Sequence, residues 1–130
     1  MTNLAPKPQY TYRAKIERWV DGDTADVSID VGFRIWARQR IRLEGINTPE
    51  LHPKHEDFVN PLARAAHIEK AREALMFCEE SAPLGSEVIL ATGVEVGKYG
   101  RYIAKVYHHE DGVSLNERLV EAGLAEEKQY

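Results

Sequence analysis

Cysteine is almost missing from this sequence. Cys78 is the only one in 130 residues, so an internal disulfide is excluded. That suits a reducing compartment, with the thiol read as a buried helix residue rather than a nucleophile. Long apolar runs are missing too. Nothing approaches the ~20 apolar residues that cross a bilayer as a helix, so no membrane span is expected. The opening stretch MTNLAPKPQY has no secretory apolar core, which predicts a cytoplasmic protein unless a leader was removed. Positive charge is not in excess: 17 Lys and Arg against 21 Asp and Glu leave a formal net charge of −4. Such a field repels a polyanion, which disfavours indiscriminate coating of nucleic acid and confines any such chemistry to a local patch. Internal repeats and low-complexity tracts are also lacking.

What is present reads as one globular domain, with 43% hydrophobic and 29% charged residues. A chain of this length buries about two thirds of its unfolded surface. The expected organisation is a loose segment over residues 1–9, a domain over 10–126 and a tail over 127–130. The arginines are uneven. Arg34, Arg38, Arg40 and Arg42 fall within nine residues, which allows one positive face.

Alternation predicts strands. Tyr10 to Val20 sets Tyr10, Tyr12, Ala14 and Ile16 on one side, and Thr24 to Val31 sets Ala25, Val27, Ile29 and Val31 inward. Ile35 to Leu43 repeats the pattern, with Ile35, Ala37, Ile41 and Leu43 inward and Trp36, Arg38, Arg40 and Arg42 outward, across a hairpin at Gly32. A polar loop over residues 45–60 holds Pro49 and Pro53. Asn60 as cap and Pro61 at the first helical position then open a helix with Leu62, Ala65, Ile68, Ala71, Leu75 and Cys78 as its apolar stripe. Glu87 to Thr92 and Arg101 to Tyr107 read as two more strands, joined through GVEVGKYG. Ser114 and Glu117 form a capping box for a short helix bearing Leu115, Leu119 and Ala122, with Gly123 at its end. The order βββαββα is that of an α+β chain built on the five-stranded OB barrel, whose helix follows the third strand.

Three short stretches carry chemistry. VDGDT places two carboxylates around Gly22, RLEGINTPE runs from Arg42 to Glu50, and KYGRY spans Lys98 to Tyr102. An Asp-Gly-Asp is ordinarily a solvated turn, and an arginine beside Glu44 at a strand end is ordinarily a solvated pair. In this order on this element string, the three stretches resemble the staphylococcal nuclease family of OB-fold phosphodiesterases, over Tyr10 to about Ala125.

The resemblance implies a calcium-dependent endonuclease acting on DNA and extending to RNA, with little sequence preference, favouring flexible or single-stranded segments and leaving 3′-phosphate ends. It implies a monomer that binds nucleic acid and no membrane. Asp23 matches the family's ligand aspartate, with Asp21 supporting it from behind. Asn47 stands where a second ligand aspartate is usual, and Thr48 would offer its carbonyl. Glu50 matches the general base, Arg42 and Arg101 the two phosphate-binding arginines, and Lys98 and Tyr99 the residues flanking the nucleotide. Oxygen donors suit calcium, forked guanidinium donors suit phosphate, and a loop carboxylate suits proton abstraction from water. Asn47 departs from the pattern. One lost charge beside the cation is a Coulomb difference of about 4 kcal/mol at 4 Å and an effective dielectric near 20, much of it offset by hydration, so weaker metal affinity is expected. The alternative of another class is an inactive OB module that binds nucleic acid or protein, for which Asn47 argues.

Other residues have plainer readings. HPKH, with His52 and His55, lacks the further ligands of a zinc site. His67 sits on the helix without an evident partner, and His108 and His109 are expected to be exposed. Trp19, Trp36 and Tyr102 are read as packing residues rather than base-stacking ones, although an OB surface can use aromatics to stack single strands.

Overall fold

In the computed structural model, residues 4–54, 58, 60–96 and 102–128 are described. Thr11–Asp21 (β1), Thr24–Asp30 (β2) and Trp36–Leu43 (β3) form an antiparallel meander. Ile46–Asn47 (β4) follows at once, and then the helix Pro61–Ser81 (α1). Glu87–Val96 (β5) and Tyr102–Tyr107 (β6) return to the sheet, and Leu115–Glu121 (α2) and Glu126–Glu127 (β7) complete the order. β6 runs parallel to β3, and β5 pairs with both β6 and β1, so the sheet closes as a barrel in the order β1-β2-β3-β6-β5. This is the α+β OB-type barrel the alternation predicts.

The barrel interior is filled by Ala14, Ile16, Ala25, Val27, Ile41, Leu43, Val88, Leu90, Ala104 and Val106, all fully buried or nearly so. Register shifts in β1, after Ile16 and after Trp19, re-aim the strand so that Trp19 also turns inward, where its Nε1 donates to the Ala82 carbonyl at 2.9 Å. The helix caps behave as the sequence indicates. Asn60 Oδ1 accepts from Ala63 N at 2.8 Å, and Ser114 Oγ accepts from Glu117 N at 3.1 Å. Gly123, at φ +76°, lets the chain leave α2 with Leu124 N bonded to the Leu119 carbonyl.

Several expectations fail in instructive places. The apolar stripe of α1 is buried only from Ala71 onward, through Ala74 and Cys78, while Leu62 is 83% exposed and Ala65 is exposed, because α1 starts beyond the barrel wall. Tyr10, Val31 and Ile35 fall outside their strands and are exposed, and Ala122 is exposed beyond the end of α2. β5 runs four residues past Thr92. The two-residue strands β4 and β7 pair with each other, too short for any periodicity to announce. Trp36 faces outward as the alternation has it, and both it and Tyr102 are more exposed than packing residues would be. His67 does find a neighbour: its ring meets Phe58 edge-on at 4.9 Å. His108 is half-buried, with its ring against that of the exposed His109.

Candidate active site at one end of the barrel

The turn between β1 and β2 is Gly22-Asp23, and it is pressed against α1. A Cβ on Gly22 would lie 2.7 Å from the Ala74 Cβ and 3.2 Å from both the Ala74 backbone and the Thr48 methyl. Only glycine lets helix and turn approach this closely. Cys78, one turn further along α1, donates its thiol to the Gly22 carbonyl at 3.2 Å. Burial first, then the Asp23 and Glu79 charges, push that thiol far above its ordinary range, so it is an anchor and not a nucleophile.

Asp23 is thereby held almost buried, with both oxygens in use. Its Oδ1 accepts from Thr24 Oγ1 at 3.0 Å, and its Oδ2 accepts from Thr48 N at 3.2 Å and from Arg42 Nη2 at 3.5 Å. The same Arg42 nitrogen donates to Asn47 Oδ1 at 2.8 Å. The Asp23 and Asn47 oxygens therefore face one cationic group, separated by no more than the two bonds laid end to end. The side chains of Arg42 and Asp23 are only 13% and 10% exposed, so this ion pair is poorly screened.

The loop after β4 is tied back by the first acid of the turn. Asp21 Oδ1 accepts from Leu51 N at 3.3 Å, which fastens the segment carrying Glu50 beside Asp23. Burial raises the Asp21 carboxyl above its ordinary value, and the neighbouring Asp23 and Glu50 carboxylates add to the rise, against the opposing bond from Leu51. Asp23 and Glu50 thus both lie within electrostatic reach of Asp21 at this end of the barrel. Glu50 itself is exposed, and Thr48 is buried with an Oγ1 that has no hydrogen-bond partner among the described residues.

The structure brings together Asp23, Arg42, Asn47 and Thr48, with Glu50 on the adjoining loop. Lys98, Tyr99, Arg101 and His55 lie outside the described residues. Their chain resumes at Tyr102, which pairs with Ile41, while Ile103 pairs with Arg42 itself. Among the described residues no group of three or more His, Cys, Asp or Glu side chains is placed to hold a metal ion. The oxygens that Asp23, Asn47 and Thr48 carry are instead those of a carboxylate, an amide and, at Thr48, a main-chain carbonyl and a hydroxyl. All are hard oxygen donors, the kind calcium accepts. Among the described residues no helix is long and apolar enough to cross a membrane.

Sequence reasoning missed the scaffold. Asn116 on α2 is buried, and its Oδ1 accepts from Val106 N at 3.1 Å while its Nδ2 donates to the carbonyls of Glu44 at 2.8 Å and Ala104 at 3.3 Å. It clamps β6 to the chain just beyond Arg42. An asparagine one residue inside a capping box gives no pattern signal of such a role.

The closed barrel is of OB type, and the family match makes it a nuclease-type or nucleic-acid-binding fold. Residues 40–130 match the family described as staphylococcal nuclease homologue, more than half of the chain, and the chain belongs to that family. Nucleases and hydrolases make up the family, and they are typically metal-dependent. The chain is also similar to an uncharacterized protein of Methanocaldococcus jannaschii, 28% identical over 125 residues, covering 88% of this chain and 58% of that protein. It spans less than two thirds of the length of that curated relative.

Proposed function

We propose that this domain is a calcium-dependent endonuclease that hydrolyses phosphodiester bonds of DNA, and by extension of RNA, with little sequence specificity. The observation that carries the reading is the single Arg42 nitrogen shared by Asp23 Oδ2 and Asn47 Oδ1. It gathers two oxygen donors, one nearly buried on Asp23 and one exposed on Asn47, around a phosphate-seeking guanidinium. Asp23 and Asn47 with their side chains and Thr48 with its main-chain carbonyl would hold the ion, and Thr48 Oγ1 is a buried oxygen with no hydrogen-bond partner among the described residues. When bound, calcium supplies positive charge over the scissile phosphate.

The protein's own groups do the rest. Arg42 leaves its internal acceptors for the nonbridging oxygens, where its fork binds phosphate in two places, and Arg101 serves as its counterpart. Support for Arg101 is its place in the chain, one residue before Tyr102, which pairs next to Arg42. Glu50, exposed on the loop that Asp21 ties down, accepts the proton of the attacking water. Lys98 and Tyr99 flank the nucleotide.

A second reading has its own support. Asp23 and Arg42 satisfy each other without any metal, as in an OB module that only binds nucleic acid or protein. One experiment separates the two. Plasmid and single-strand digestion is followed with calcium, with magnesium and with chelator, for the wild type, Glu50→Gln and Asn47→Asp. Cleavage is expected only with divalent metal. Glu50→Gln is expected to slow it ~10²–10⁴-fold, and Asn47→Asp to lower the calcium needed for half-maximal rate. Cleavage that survives chelation, or is indifferent to Glu50, refutes the mechanism. No cleavage at millimolar calcium leaves the binding module as the better description.

A further inference from the structure

Beyond Arg42, the outer side of β3 continues as Arg40, Arg38 and Trp36, alternate residues that share one face. Each has a defined row across the meander. Arg40 lies opposite Asp26, which lies opposite Arg18; Arg38 lies opposite Ser28, which lies opposite Lys15; Trp36 lies opposite Asp30, whose carboxylate takes the Arg13 guanidinium at 3.1 Å. Arg40 binds Asp26 through two nitrogens, at 2.8 and 3.2 Å. That hydrogen-bonded pair holds the Asp26 carboxyl below its ordinary range, with Arg18 and Arg38 adding their charges. Asp26 thus stands among three guanidiniums, with Asp30 and, bonded to Ser28 at 2.6 Å, Glu17 as the other acids of these rows, on a chain whose overall charge is −4.

The aromatic end of the row is open. Trp36 is 43% exposed, and Lys15 Nζ stands 5.3 Å from its ring centroid. Beyond it the hairpin turns through Gly32, Phe33 and Arg34, all at positive φ, and Phe33 at φ +55° is 96% exposed. A bulky residue in that left-handed region is strained. No burial of Phe33 compensates for it.

We infer that this face, from Arg42 through Arg40 and Arg38 to Trp36 and the Phe33 tip, is a track that seats a single-stranded polynucleotide leading out of the pocket. The inference rests on the nucleic-acid reading above and extends it from one phosphate to a run of nucleotides. Cations at every second residue of a strand offer successive phosphates a contact, and an exposed indole offers a base a π-face. From Arg42 to Trp36 the strand covers about 20 Å. Such a length fits the ~4–16-nucleotide sites known for OB folds. A single strand suits this face better than a duplex, whose stacked bases present no π-face to Trp36.

The test is fluorescence anisotropy of a labelled twelve-nucleotide oligothymidylate, in chelator so that nothing is cut, for the wild type, the double variant Trp36→Ala with Arg38→Ala, and Trp36→Phe. Both positions are on the surface, and matching circular dichroism melts establish that the variants are folded. The double variant is expected to bind about tenfold more weakly and with a shallower dependence on salt, and Trp36→Phe to retain most of the affinity. A loss below threefold, or no binding by the wild type, overturns the track. Cleavage of the same strand with divalent metal is scored separately. A metal-dependent cut with no loss in the double variant sinks the track and leaves the hydrolase, whereas a tenfold loss without cleavage in any divalent cation sinks the hydrolase and leaves the track. A dimer of the wild type that the double variant dissolves, with strand affinity unmoved, means that a second copy of the chain covers this face, and also overturns it.

Discussion

The same three strands build two very different surfaces. At the site's end, Asp23, Arg42, Asn47 and Thr48 are joined by hydrogen bonds, and α1 packs against the Gly22-Asp23 turn. On the outer face, arginines and acids pair in solvent, and the hairpin ends on a bare phenylalanine. Sequence chemistry is alike in both places, an arginine opposite an aspartate. What differs is burial, and burial decides whether such a pair fixes a geometry or merely decorates a surface.

The sharpest way to break that contrast is to cut each pair from its arginine side. Arg42→Met, measured in chelator, is expected to cost about 3 kcal/mol, because it strands the Asp23 carboxylate in a nearly closed site. Arg40→Met is expected to cost under ~1 kcal/mol, since the Asp26 carboxylate stays solvated. Equal urea midpoints for the two variants contradict the distinction.

Glycines give the next largest effect. Gly22→Ala forces a methyl into Ala74 and is expected to cost about 2 kcal/mol through overpacking. Gly32→Ala meets no atom within 4 Å and suffers only from its φ of +83°, for about 1 kcal/mol. Gly22→Ala is also expected to loosen the turn that holds Asp23, so the two variants separate further if amide exchange at Asp23 and Thr24 is followed.

The smallest effect concerns pH and has opposite signs in the two regions. The native Asp21 carboxyl sits above its ordinary value of 3.8. The folded state therefore holds that proton more tightly than the unfolded chain, and the associated stability is present below 3.8 and lost as pH rises through the raised value. Asp26 is held below 3.8, chiefly by its bond from Arg40, so its contribution is present above that value and lost as pH falls. Asp21→Asn, which can still accept from Leu51 N, is expected to be more stable than wild type at pH 7 in chelator, with the gap closing in acid. Asp26→Asn is expected to be less stable at pH 7, with its gap also closing in acid. Urea titrations at pH 7 and pH 3 check both signs.

The barrel was largely legible because half-buried strands alternate: Ala25, Val27, Ile41 and Leu43 are where a period of two puts them. Both helix starts were legible because Asn60 and Ser114 cap with their own side chains, a local event. Legibility failed where tertiary context decides. Nothing local says that α1 meets the barrel only from Ala71, or that Trp19 turns inward at a bulge. The pocket residues Asp23, Asn47 and Thr48 could be named from a resemblance, but not the guanidinium now bridging two of them. That bond joins residues five apart across the end of a strand, and only the backbone reversal at Gly45, with φ +76°, brings them face to face. Asn116 was illegible for a similar reason, as its acceptors and donor come from two separate segments, β6 and the chain just past β3.

The close approach of the β1–β2 turn to α1 carries a consequence for how such sequences can drift. Positions 22 and 74 share one small volume, so neither can gain a carbon while the other keeps its own. A change at either is tolerated only if its partner shrinks or the helix slides outward, and sliding would carry Cys78 away from the Gly22 carbonyl. The recess is thus written twice in the chain, once in a turn and once 52 residues later in a helix.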